Sequence, residues 1–263
     1  GLWASRSSVI LRKCLIRTTS PGLWRGLYRK PATSHNGAMC GRYAASKDVA
    51  NLMEEFEVAR PPDETLPEDF NVAPSKQVYM VVDRETDDGV QRQLRTAKWG
   101  LVPSWAKDPK IGNRMINARL ETAAEKPSFR RAWAKRRCLL PADGYYEWYA
   151  GEGPKQPFYI HRPDGHSLAM AGLYEFWKDG DDWLVTTCVL TTDAPDELGR
   201  IHDRMPLLVP HENWAAWLDP EHKPTGDLVV PAMSMGLEAY PVSTEVNNVR
   251  NNGRQLTDPL PAS

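Results

Sequence analysis

Apolar residues at Val49, Leu52, Met53 and Phe56 follow the i, i+3, i+4, i+7 spacing of one helix face, so an amphipathic helix is expected there, closed by Pro61-Pro62. Beyond it the period shortens. Gln77 to Val82 and Gln91 to Trp99 read as strands divided by the turn-prone Asp87-Asp88-Gly89. Phe129 and Trp133, four residues apart, suggest a short basic helix. Cys138-Leu139-Leu140, Tyr145 to Tyr149, Phe158-Tyr159-Ile160, Ser167 to Leu173 and Trp183 to Leu190 are β-rich runs bounded by Gly, Pro and Asp. Trp214, Trp217 and Leu218 mark another helix, and Leu228-Val229-Val230 and Tyr240-Pro241-Val242 two late extended pieces. Many short strands with helices at intervals predict one α+β domain built on a curved antiparallel sheet or open β-barrel with flanking helices. There is no internal repeat, low-complexity tract or Gly-rich phosphate loop.

Charge changes this picture. The 263-residue chain has 33 basic and 34 acidic residues. Residues 1–38 contain Arg6, Arg12, Lys13, Arg17, Arg25, Arg29 and Lys30, no acid, and many Ser and Thr. That composition fits a mitochondrial transit peptide or upstream sequence ahead of the true start, and the segment is set apart from the fold. The 26 basic residues that remain, against 34 acidic ones, give residues 39–263 a balance of −8. Such a domain is not a general polyanion binder, so contact with nucleic acid requires a local patch. Arg114, Arg119, Lys126, Arg130, Arg131, Lys135, Arg136 and Arg137, against only Glu121 and Glu125, supply one, or else form a solvated helix face.

Residues 39–263 are numerous enough to bury one substantial core, and no linker divides them. No apolar run approaches the roughly 20 residues of a membrane span. Cys14, Cys40, Cys138 and Cys188 form neither a CxxC pair nor a zinc-ligand spacing. A monomer without metal or cofactor is expected, in the cytoplasm, nucleoid or nucleus, or in mitochondria if residues 1–38 act as a transit peptide.

Candidate chemistry begins at Met39-Cys40, the first methionine followed at once by cysteine. Trimming of Met39 would leave Cys40 with a free amine and a thiol on adjacent carbons. An aldehyde could then form a Schiff base with the amine and be closed by the thiol into a thiazolidine. An α-amine titrates near 7.7–8.0, so a useful share is nucleophilic at about pH 7. The competing reading makes Cys40 a small buried hydrophobe in an internal turn.

Six motifs occur in order: Met39-Cys40-Gly41-Arg42-Tyr43, Asn71-Val72-Ala73-Pro74, Trp99-Gly100-Leu101-Val102-Pro103-Ser104-Trp105, Ile116-Asn117-Ala118-Arg119-Leu120-Glu121-Thr122, Ala142-Asp143-Gly144-Tyr145-Tyr146-Glu147-Trp148 and Ile201-His202-Asp203-Arg204-Met205-Pro206. Together they resemble the SRAP family, the SOS-response-associated peptidases, over residues 39–255. The resemblance implies a single-domain sensor that crosslinks its N-terminal cysteine to abasic sites in single-stranded DNA. The departure is the 38-residue extension, whose presence would block the Cys40 amine.

Within that resemblance Cys40, Asn117, Glu147 and His202 are the catalytic candidates. Glu147, between two aromatics that would desolvate it, suits proton transfer, unless it is an ordinary strand glutamate. His202 could shuttle protons to the sugar, and Asn117 could orient the amine or a sugar oxygen; the alternatives are a structural histidine and a turn-capping asparagine. Arg42, Arg119 and Arg204 are expected to clamp phosphates. Trp99, Pro103 and Trp105 would wedge or stack against bases, with at least one tryptophan in the core, and Asn71 and Pro74 would shape the pocket wall. Two other function classes stay open: a peptidase or (auto)amidase with Cys40 as N-terminal nucleophile, and a noncatalytic single-strand binding module using the basic run.

Overall fold

The computed structural model describes residues 41–151, 153–194, 198–222, 224 and 236–261. Met39, Cys40, Cys14, the 1–38 extension and the extended piece expected at Leu228 to Val230 lie outside the described residues.

The strands are β1 (Tyr43–Ala45), β2 (Asp69–Val72), β3 (Gln77–Thr86), β4 (Gly89–Trp99), β5 (Asn117–Arg119), β6 (Arg137–Ala142), β7 (Gly144–Tyr149), β8 (Gln156–His161), β9 (Leu168–Asp179), β10 (Asp182–Asp193), β11 (Arg204–Pro206) and β12 (Glu238–Pro241). The helices are α1 (Val49–Glu55), α2 (Leu120–Ala123), α3 (Arg130–Lys135), α4 (Leu198–Ile201) and α5 (Trp214–Leu218). The long strands and α1, α3 and α5 fall where the hydrophobic pattern puts them. Three-residue strands such as β1, β5 and β11 are too short to show a period.

The end of α1 differs from expectation. Asp48 Oδ1 caps its start by accepting the Asn51 N–H at 2.8 Å. It stops at Glu55, well before Pro61, because Glu57 turns left-handed at φ 54°.

Strands β12-β8-β7-β1-β2 form one antiparallel sheet in that order. Strands β4, β3, β6, β9 and β10 pair in succession and close into a ring, because β10 also runs parallel to β4 at Thr186–Lys98 and Thr187–Trp99. The fold is thus a five-strand closed barrel plus an antiparallel sheet, in one α+β domain. Strand β5 adds to β10 in parallel and β11 adds antiparallel.

Period-two alternation sorts the side chains. One barrel face (Tyr79, Val81, Leu94, Leu139, Leu173) meets Leu52 and Phe56 of α1, Ala132 of α3 and Trp214 and Trp217 of α5, so it is the outside. The opposite face (Val78, Met80, Trp99, Leu140, Met170, Tyr174) shares a core with Tyr43, Val72, Tyr145 and Ile160 of the five-stranded sheet. The far face of that sheet, with Ala44, Tyr146 and Tyr159, is covered by Val242, Val246 and Leu256. Each large side chain buried in this way stabilises by about 1.5–3 kcal/mol. Among the described residues no helix is long and apolar enough to cross a membrane.

Candidate nucleic-acid site around the end of strand β1

The register between β1 and β7 builds the site. Tyr43 faces Tyr145 and Ala44 faces Gly144, and the Tyr146 N–H donates to the Arg42 carbonyl at 3.0 Å. The paired residues end at Tyr43, and the same register carried one step past the Arg42–Tyr146 bond would bring Gly41, the residue bonded to Cys40, opposite Glu147. Alternation puts Glu147 on the Tyr145 side, toward the main core, where it is only 3 % exposed. Arg42 and Trp148 fall on the opposite side, and the Arg42 guanidinium lies 5.8 Å from the Trp148 ring centre.

Asn117 opens β5, directly after Ile116. A Cβ placed on Gly41 would sit 3.9 Å from the Ile116 side chain. The Ile116 carbonyl is fixed twice, by the Trp99 Nε1–H at 2.9 Å and the Val189 N–H at 3.0 Å. Upstream, the chain crosses itself at Gly100 and Gly112. A Cβ on either would come within 2.7 Å of the other's carbonyl oxygen, and Gly100 has φ +125°. Only glycines permit that approach.

His202 follows α4, which packs on β7. Its Nδ1 is 3.1 Å from the Arg204 N–H and 3.1 Å from Asp203 Oδ1. In the neutral ring Nδ1 accepts from Arg204, so the proton sits on Nε2, which is then a donor. When the ring is protonated, Nδ1–H can turn to Asp203.

Arg204 is 8 % exposed and well occupied. Its Nη1 donates to Glu121 at 2.7 Å and Asp193 at 2.6 Å, and Nη2 to Glu121 at 3.0 Å and the Thr191 carbonyl at 2.7 Å. It could not clamp a phosphate without giving up a carboxylate. Burial pushes the Glu121 carboxyl up, but the hydrogen bond and charge of Arg204 outweigh that and hold it below its ordinary value of 4.5. Arg119, by contrast, is exposed.

The two tryptophans of the Trp99–Trp105 motif part company. Trp99 is 1 % exposed and stacks at a tilt 5.2 Å from Tyr43, so its faces are closed to a base; Trp105 is 58 % exposed. Pro103 is buried beneath the turn that carries Trp105, and Pro74 is half-buried in a tight turn beside Ser75, whose φ is 75°. Around Trp105, Lys107, Lys110 and Arg114 line a cleft of about 370 Å³. Arg131 on α3 reaches Ser104 Oγ at 3.4 Å and joins this surface to part of the basic run. Arg137 does not belong to that surface. It is 3 % exposed and donates to the carbonyls of Trp217, Trp133 and His222, while Arg136 pairs with Glu175.

Asn71 has no exposed surface. It holds the carbonyls of the loop after Val246 and accepts from Arg42 at 2.7 Å. Motif reading passed over Glu121, Trp148 and Asn247. Glu121 and Trp148 lie inside the quoted motifs, and the Asn-rich 247–252 stretch was a visible signal.

The family model for "SOS response associated peptidase (SRAP)" matches residues 39–249. The chain belongs to the SRAP family. A Bacillus subtilis relative, abasic site processing protein YoqW, is 39 % identical over 84 % of this chain and 99 % of its own length. Escherichia coli abasic site processing protein YedK is 33 % identical over 84 % and 100 %. The Gallus gallus abasic site processing protein HMCES is 32 % identical over 84 % of this chain and 78 % of its own. A solved protein from Bacteroides thetaiotaomicron superposes on this SRAP chain with a TM-score of 0.71 at 26 % identity, over 84 % of this chain and 100 % of that one.

Proposed function

We propose that this SRAP protein processes abasic sites in single-stranded DNA by forming a covalent thiazolidine crosslink through Cys40, once the preceding residues are gone. The carrying observation is the β1–β7 register, which runs through the Arg42–Tyr146 bond and whose continuation brings Gly41 toward the buried Glu147. The names of the SRAP relatives support the substrate.

An abasic deoxyribose opens to an aldehyde at C1′. The Cys40 amine adds to that carbon, giving a carbinolamine that loses one water to become an imine. The thiol then adds across the C=N bond, sulfur to C1′ and its proton to nitrogen, so the net change is the loss of one water. Held side by side, the reacting groups gain the large entropic advantage of an intramolecular closure. Glu147 serves as the proton donor and acceptor for dehydration. His202, donating from Nε2 in its neutral form, assists opening of the sugar, and Asn117 orients the amine or a sugar oxygen. Trp105 stacks on an exposed base while Arg119, Lys107 and Lys110 hold phosphates.

The test is intact mass of protein starting at Cys40, alone and after incubation with abasic single-stranded DNA. An adduct equal to protein plus DNA less one water is expected, and none with undamaged strands. Equal adduct from a chain that keeps residues 1–38 would overturn the aminothiol mechanism. The "peptidase" in the family description favours one second reading, amide cleavage by Cys40 with its own amine as base. Turnover of peptides by the Cys40-initiated protein without any DNA adduct would select it.

A further inference from the structure

Arg42 is two residues from Cys40, and it is held at both ends. Its carbonyl accepts from Tyr146 at 3.0 Å. Its Nη1 donates to Asn71 Oδ1 at 2.7 Å and to the Val246 carbonyl at 2.8 Å. Asn71 spends its whole amide here. Nδ2 lies 2.9, 3.1 and 3.3 Å from the carbonyls of Asn251, Asn248 and Val246. The same loop is fastened at two further points: Asn247 Oδ1 accepts the Trp148 Nε1–H at 2.7 Å, and Asn252 accepts from Phe70 N–H at 2.8 Å and donates to the Glu68 carbonyl at 3.2 Å. Residues 246–252 are therefore a strap that joins β2, which carries Asn71, to the end of β1.

Asn71 cannot touch DNA, being 0 % exposed. Arg42 is half-buried, and its Nη1 is already engaged by Asn71 Oδ1 and the Val246 carbonyl. Both lie on the face of β1 opposite Gly41 and Glu147. What they can do from there is fix the direction in which β1 delivers Gly41.

We propose that Asn71 is a positioning residue for the reaction of Cys40, acting through Arg42 and the 246–252 strap, and that Arg42 serves the N-terminus rather than a phosphate. The inference rests on the crosslinking reading above. Ring closure needs amine, thiol and aldehyde in near-attack geometry, and a misplacement of about 1 Å costs on the order of 10²-fold in rate.

Two variants separate positioning from binding. Asn71→Asp keeps an oxygen for Arg42 but removes the donors that hold the strap; Arg42→Lys keeps the charge but loses the shared contact with Asn71 and Val246. Each is compared with wild type by the single-turnover crosslinking rate at saturating abasic single strand, and by Kd for the same strand carrying a stable tetrahydrofuran lesion at several salt concentrations. The expected result is a saturated rate lower by roughly 10- to 100-fold, with Kd within about twofold and the salt slope unchanged. The double variant should be no slower than the slower single one. A weakened Kd and a flatter salt slope with an unchanged saturated rate would make Arg42 a phosphate contact and overturn the proposal, as would no change in either. If Asn71→Asp fails to fold, Asn252→Ala loosens the strap from its exposed end, and a slower saturated rate at constant Kd supports positioning while an unchanged rate overturns it. Wild-type protein that forms no adduct would defeat the crosslinking reading itself, whereas wild-type adduct with insensitive variants would defeat only the strap.

Discussion

Trp99 and Arg204 on one side, and Trp105 and Arg119 on the other, are the same two residue types taken from the quoted motifs, and the protein uses them in opposite ways. In the first, the indole N–H fixes the Ile116 carbonyl and the guanidinium is spread over Glu121, Asp193 and Thr191. In the second, the Trp105 ring faces solvent among Lys107, Lys110 and Arg114, and the Arg119 charge is exposed at the end of β5. An aromatic or a cation inside a motif can therefore serve the protein or a ligand, and burial decides which. Glu147 is the exception that joins the two. It is buried like the first group, yet the proposed chemistry needs it.

Glu147→Gln is the sharpest probe of that exception. It keeps size and hydrogen bonding but removes the titrating proton, so the saturated crosslinking rate should drop by roughly 10²–10⁴-fold with lesion affinity retained. A time course at wild-type rate would return Glu147 to a structural role.

The tryptophans should split between stability and binding. Trp99→Ala empties a core position and should cost about 3–5 kcal/mol in chemical denaturation. Trp105→Ala should leave the denaturation midpoint in place and weaken single-strand binding by about 1–3 kcal/mol, read from titrations with a tetrahydrofuran strand. Comparable destabilisation by both would erase the distinction.

The arginines offer a smaller contrast. Arg119→Ala should lower the salt slope of binding by roughly 0.7, the amount for one phosphate contact on a single strand. Arg204→Ala should instead destabilise the fold by about 1–2 kcal/mol, because its partners Glu121 and Asp193 are partly solvated and regain water.

The smallest effect is a pH dependence. The Glu121 carboxyl is held below its ordinary 4.5, so the stability it adds is fully present above that value and fades as pH falls through the lowered one. The difference in unfolding free energy between wild type and Glu121→Gln, about a few tenths of a kcal/mol near neutral pH for a half-exposed pair, should shrink as pH falls below 4.5. A difference that grows in acid would mean that Arg204 does not set the Glu121 charge.

Much of this was legible in the sequence. The long strands and the outer helices announced themselves because each carries a full period of apolar residues, as Val78, Met80 and Val82 alternate with Tyr79 and Val81. Barrel closure was not legible, because the β10–β4 seam joins segments some 90 residues apart through two residue pairs. The site was legible as a set of motifs but not as a geometry. Trp99 and Trp105 look alike in the sequence, and nothing in Asn71 says that its amide is consumed by three carbonyls from residues 246 to 251. Such contacts depend on which face of a strand a residue takes and on what the distant chain lays over it.

The pairing of β1 has a temporal consequence. Its partner across the site, β7, is roughly 100 residues downstream, and synthesis at about 5–20 residues per second leaves the interval between them on the order of 5–20 s. Through that interval the end of β1 has no Glu147 beside it and no strap from residues 246–252 behind it. Low-order local contacts cannot substitute, since the ladder that sets Gly41 is wholly long-range. On the proposed reading, a nascent chain that starts at Cys40 is thus open to modifying enzymes and stray aldehydes before its site has formed.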